Sequence, residues 1–139
     1  MKKLLIMFSV LVAFCMTACA QGNSKNKDMD MDMKTLVVYF SATGTTEDVA
    51  NKIASVTGGE IMAIEPVQPY TSADLDWNDR NSRSSVEMND PESRPQIKPA
   101  AKSISDYDVV FIVYPIWWDL APTVVNTFIL LSDKTQIGQ

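Results

Sequence analysis

The sequence contains no histidine, which removes every mechanism built on an imidazole base and every His-ligated metal site. Cysteine is nearly as scarce. Its two copies, Cys15 and Cys19, both lie in the first twenty residues, so no zinc cluster, redox pair or thiol nucleophile is available further on. Basic residues are in the minority, 12 Lys and Arg against 17 Asp and Glu, for a net charge of −5. That sign argues against a nucleic-acid binder or a basic membrane-surface protein, since phosphate neutralisation needs clustered cations. The length of 139 residues allows one domain and little more. What is present is enough for a packed core: 46% hydrophobic residues, with three Trp, four Tyr and five Phe.

Lys2 and Lys3 precede an apolar run from Leu4 to Phe14, which is too short to span a bilayer comfortably. Small residues follow, and together these are the parts of a secretory signal over residues 1–18. Thr17-Ala18-Cys19 resembles the end of a bacterial lipobox, although Met16 stands where that motif usually has Leu. On that resemblance Cys19 is lipidated, becomes the mature N-terminus and anchors the exported chain to a membrane through lipid alone. Ala18-Cys19-Ala20 also satisfies an ordinary signal-cleavage rule, which would release a soluble periplasmic protein. Residues 19–33 then read as a solvated tether, with no branched aliphatic or aromatic side chain. The alternation from Asp28 to Met33 is spacer rather than a metal site, because nothing there fixes a geometry.

At Lys34 the pattern changes, and residues 34–139 read as one α/β domain. Thr35-Leu36-Val37-Val38-Tyr39-Phe40 is a continuous β-branched and aromatic run, as expected of a strand covered on both faces in a parallel sheet. After a loop, Val49, Ala50, Ile53 and Ala54 share one face of a helix that opens with Glu47 and Asp48 and stops at Gly58-Gly59. Ile61-Met62-Ala63-Ile64 is a second short strand. Residues 70–106 are polar, with Leu75, Trp77, Val86 and Met88 isolated in them, and predict a weak helix somewhere between Ser72 and Met88. Val109 to Tyr114 is the clearest strand, and Pro122 opens a helix carrying Val124, Val125, Phe128 and Ile129. Strand, helix, strand, crossover, strand, helix is the grammar of a doubly wound parallel sheet.

Such sheets bind ligands beyond the carboxyl ends of their strands, where strand order reverses. Two loops occupy that address, 41–46 and 115–121. Ser41-Ala42-Thr43-Gly44-Thr45-Thr46 suits a phosphate: Gly44 permits a tight turn, backbone N–H groups converge at a helix N-terminus, and the hydroxyls donate without charge. It has no Lys or Arg, and matches neither G-x-x-x-x-G-K-[ST] nor G-x-G-x-x-G. Simple helix capping by Ser and Thr explains the same residues. In the second loop, Pro115-Ile116-Trp117-Trp118 would be a costly exposed cluster unless something flat covers it. Alternatively one Trp turns into the core and the other lies on the surface.

Together these segments resemble the flavodoxin-like family. Leu36 to Glu47 is similar to its first strand and FMN-phosphate loop, [ST]-x-T-G-x-T-E, and Tyr107 to Trp118 resembles a subgroup with a Y-P-I-W-W flavin loop. The resemblance implies that Ser41, Thr43, Thr45 and Thr46, with the backbone of Ala42 and Gly44, hold the FMN phosphate. It further implies that Pro115, Ile116, Trp117 and Trp118 line the isoalloxazine, one indole packing on the ring. The implied activity is that of an electron carrier or an NAD(P)H-dependent flavin or quinone reductase, in which no side chain need do the redox chemistry. A phosphatase or response regulator on a similar sheet needs an Asp where Phe40-Ser41 stands.

The family's sheet has five strands in the order 2-1-3-4-5. This sequence supplies three, in the order 2-1-3, so the reading is a C-terminally truncated domain in which strand 109–114 becomes an exposed edge. A non-catalytic remnant or anchored binding module without stable cofactor is the alternative to the redox domain. Purified residues 20–139 are therefore expected to retain FMN weakly or not at all. Absorbance in the flavin's visible band measures this, and stoichiometrically yellow protein would overturn it.

Overall fold

The computed structural model describes residues 33–137. The signal segment, Cys19 and residues 20–32 of the tether lie outside the described residues. The elements follow in chain order as β1 (Thr35–Tyr39), α1 (Thr45–Thr57), β2 (Glu60–Ala63), α2 (Arg83–Asn89), β3 (Val109–Val113) and α3 (Thr123–Ile137), with a 3-10 turn at Ile104–Asp106. The three strands form one parallel sheet in the order β2-β1-β3. In the register, Val37 stands opposite Ile61 on one side and Phe111 on the other.

Strand β1 is the axis of the core, and its side chains alternate between two faces as a pleat requires. Leu36, Val38 and Phe40 join Met62, Ile64, Val124, Val125 and Phe128 in one buried cluster, which places α3 over that face. Val37, fully buried at the intervening position, lies outside this cluster, and Ala50 is the buried residue of α1. Between α1 and β2 the chain passes so close to β1 that a Cβ on Gly59 would stand 2.9 Å from Thr35 Cγ2 and 3.0 Å from the Thr35 carbonyl.

Two expected faces differ in detail. Val49 and Ile129, which share helical spacing with their apolar neighbours, are exposed, while Ala50, Val125 and Phe128 beside them are buried. The helices turn their small or neighbouring residues to the sheet, leaving these branched side chains at the margin. Among the described residues β3 is an outer strand, as expected, and is not covered on both faces: Phe111 and Ile112 are 39% and 38% exposed.

The polar crossover is anchored at its neck. Pro66 and Ile97 form an antiparallel bridge, flanked by Val67 N–H donating to the Gln96 carbonyl and Lys98 N–H to the Glu65 carbonyl. Residues between these points leave the sheet as an excursion and return. The expected weak helix is confined to α2, seven residues long and capped by Ser82, whose Oγ accepts from Ser85 N–H at 3.3 Å. Before it the chain makes turns, because Asp and Thr side chains there bond the backbone locally instead of leaving it to a helix. Thr71 N–H and Oγ1–H both donate to Asp74 Oδ2 at 2.8 Å, holding that carboxyl below the usual aspartate range. This excursion forms one wall of the cleft described next.

Candidate functional site

The carboxyl ends of β1 and β3 are joined where Phe40 N–H donates to the Val113 carbonyl at 2.9 Å, so the loops that follow them emerge side by side. A cleft of about 430 Å³ opens there. Ala42, Thr43 and Thr46 line it from the first loop, and Pro115, Ile116, Trp117 and Trp118 from the second. Its third wall comes from the crossover, as Leu75, Trp77 and Ser84. No charged side chain is among these residues.

The first loop turns on Gly44, whose φ of 93° is a left-handed conformation that an L side chain adopts only under strain. Gly44 N–H donates to Ser41 Oγ at 3.0 Å, closing the turn. Gly44 is also the N-cap of α1, and no side chain caps that helix. Capping therefore does not explain the hydroxyls: Thr43 and Thr46 line the cleft, and the first-turn N–H groups are left for another acceptor. Ser41, Gly44 and Thr45 do not line it; the first two build the turn, and Thr45 begins α1 as an exposed residue.

The two tryptophans separate. Trp117 turns towards the core, edge-on to Phe40 with centroids 5.7 Å apart and edge-on to Tyr70 at 5.4 Å. Phe40 and Tyr70 complete the triangle at 5.9 Å. Trp118 stays 47% exposed at the cleft. It and Asp119 are the central residues of a tight turn in which Trp117 and Leu120 exchange two backbone hydrogen bonds of 2.9 Å. Both central residues have positive φ, 46° and 63°, the signature of a type I′ turn. Neither is glycine, and such a conformation costs an L residue about 1–2 kcal/mol.

Tyr70 links this triangle to α2. Its hydroxyl donates to Glu87 Oε2, while the Arg83 guanidinium lies 4.1 Å from its ring centroid. Arg83 in turn pairs with Glu87 at 2.7 Å and donates to the Gln68 carbonyl at 2.7 Å. Burial first, then the Glu87 carboxylate, push the Tyr70 phenol far above its ordinary range. Beyond Trp77 and Trp118 a neighbouring hollow contains Asn78, Arg80, Ser85 and Asn89, so a guanidinium stands near the uncharged cleft without lining it.

Sequence reasoning brought the two loops to one place; for residues 70–106 it left a substrate-site wall and a plain surface crossover equally open, and the third wall comes from that segment. Leu75 and Trp77 carried a signal, as isolated apolar residues in a polar segment; Ser84 carried none. Among the described residues no group of three or more His, Cys, Asp and Glu side chains is arranged to hold a metal.

Residues 34–136 match the family model described as Flavodoxin. No curated protein matches the chain. Among solved structures, the chain is similar to a candidate flavoprotein from Bacteroides eggerthii, with 63% identity and a TM-score of 0.69 over 70% of this chain and 62% of that one. A candidate flavoprotein from Bacteroides uniformis is 52% identical, with a TM-score of 0.68 over 70% and 63%. The chain thus spans less than two thirds of the length of either. A flavoprotein in complex with FMN from Lactobacillus acidophilus is 22% identical, with a TM-score of 0.53 over 73% and 68%, and shares the fold.

The raised Tyr70 phenol makes stability pH-dependent. Folding holds its proton more tightly, so this contribution is complete below the unfolded value near pH 10 and is lost as pH rises above it. Melting temperature should fall above about pH 10, and Tyr70→Phe should make that fall shallower. It will not abolish the fall, because the Tyr39 and Tyr107 phenols are raised too, each chiefly by burial. Parallel alkaline limbs for variant and parent would contradict this.

Proposed function

From the premise that this chain belongs to the flavodoxin family, we propose that its cleft binds FMN, with the phosphate on residues 41–46 and the isoalloxazine beside Trp118. The observation that carries the reading is that both loops line one cleft, at the strand ends where an α/β sheet offers a ligand site.

The residues present fit that cofactor on three counts. The cleft lies within the roughly 300–1,000 Å³ that small-molecule sites occupy. The N-terminus of α1, without a side-chain cap, presents backbone donors and a positive dipole end to an anion. The Thr43 and Thr46 hydroxyls add neutral donors, and the half-exposed indole of Trp118 offers a flat apolar face.

Bound FMN would supply electron or hydride transfer at its flavin ring. The protein's part is to bind and shield it. Thr43 and Thr46 would fix the phosphate end, Pro115 and Ile116 would exclude water from the ring edge, and Trp117 would hold the second loop in place through Phe40 and Tyr70. Electron carriage or NAD(P)H-dependent reduction of a flavin or quinone is the activity we assign to the domain, with a redox protein or nicotinamide cofactor as partner. Lys2, Lys3, the apolar run from Leu4 and Cys19 support export and lipid anchoring ahead of it. A second reading, in which these residues alone hold the cofactor only loosely, is favoured by the exposed Phe111 and Ile112 on the outer strand.

Titration of flavin fluorescence tests the assignment. FMN should bind more tightly than riboflavin. Thr46→Ala should weaken FMN by about tenfold with riboflavin unchanged, and Trp118→Ala should weaken both. Equal affinity for FMN and riboflavin would contradict a phosphate site at residues 41–46.

A further inference from the structure

The crossover wall of the cleft contains an anomaly. Helix α2 buries two serines, Ser84 and Ser85, and its cap Ser82 is buried too. Two of them satisfy each other: Ser82 Oγ donates to Ser85 Oγ at 2.9 Å and accepts from Ser85 N–H. Ser84 is only 2% exposed and its backbone N–H donates to the Asp74 carbonyl at 2.9 Å, but its hydroxyl has no partner. It does not return to the backbone one turn earlier, as helical serines often do.

A buried hydroxyl without a hydrogen bond destabilises a fold, and an alanine would fill nearly the same space without that cost. Thr123 is a second buried hydroxyl without a partner, but it does not line the cleft. Ser84 does, as do Thr43 and Thr46 of the first loop. A serine hydroxyl moves among three staggered positions about one bond, so it can follow an arriving acceptor.

We infer that Ser84 is a ligand-binding residue, its hydroxyl donating a hydrogen bond to an oxygen on the polar tail of the bound flavin nucleotide. The inference rests on the FMN reading above and extends it. The acceptor is a phosphoryl oxygen or a ribityl hydroxyl, which offer a donor the same chemistry. The crossover is then part of the binding site: the Ser84 N–H bond to Asp74, and the Tyr70, Arg83 and Glu87 contacts, hold α2 where this hydroxyl can reach the cleft.

Ser84→Ala in the full chain tests this through two readouts that a structural role would move together. Without flavin the variant should melt no lower than the parent, since no bond is lost. With flavin its dissociation constant for FMN should rise about tenfold. Riboflavin distinguishes the acceptors: an unchanged riboflavin affinity places the contact on the phosphate, and an equal loss places it on the ribityl chain, either result supporting the inference. FMN affinity equal to the parent's would overturn it, as would a lower melting temperature without flavin, which would make the hydroxyl a part of the fold. A parent chain that takes up no FMN would overturn this inference and the FMN assignment together, an outcome distinct from a parent that binds and a variant that binds equally well.

Discussion

Three aromatic rings meeting edge to face hold the cleft in shape. Phe40 follows the central strand, Tyr70 enters from the crossover and Trp117 arrives from the second loop, so one contact set ties together segments that are far apart in sequence. Each such pair contributes about 0.5–1.5 kcal/mol beyond the area it buries. The larger consequence is positional. Trp117 packs towards the core, and Trp118 is the more exposed indole at the cleft. The Arg83 and Glu87 contacts extend the same constraint through Tyr70 to α2, and with it to the wall carrying Ser84.

The second loop carries a conformational cost that the packing offsets. Trp118 and Asp119 both occupy the left-handed region, which a turn optimised for stability alone would fill with Asn-Gly. The paired hydrogen bonds between Trp117 and Leu120, and the burial of the Trp117 ring, keep the turn closed. The strain therefore sits at the cleft, beside a helix N-terminus that lacks a side-chain cap.

Much of this was legible in the residues. Leu36-Val37-Val38 announced a strand buried on both faces because β-branched side chains without polar alternation have no exposed solution, and all three are buried. Gly44 among hydroxyls announced a tight turn, and its φ of 93° is the conformation that glycine permits. Helix orientation was less legible. A stripe such as Val49, Ala50, Ile53 and Ala54 spans more of the helix than the sheet touches, and only packing decides that Ala50 goes under while Val49 stays out. The crossover was least legible. Its structure rests on contacts between distant residues, such as Tyr70 with Glu87 and Pro66 with Ile97, that leave no periodic trace. For that reason Ser84, within the third wall of the cleft, could come only from the structure.

The proposed function needs one cleft to hold both ends of one cofactor, and amide chemical-shift mapping on nitrogen-15-labelled protein tests that directly. Addition of FMN should move the backbone resonances of Thr43, Thr45 and Thr46 together with the indole resonance of Trp118, whereas inorganic phosphate should move the threonines and leave Trp118 in place. FMN-induced shifts centred instead on the separate hollow between Ile97 and Ile104, with both loops unmoved, would contradict it.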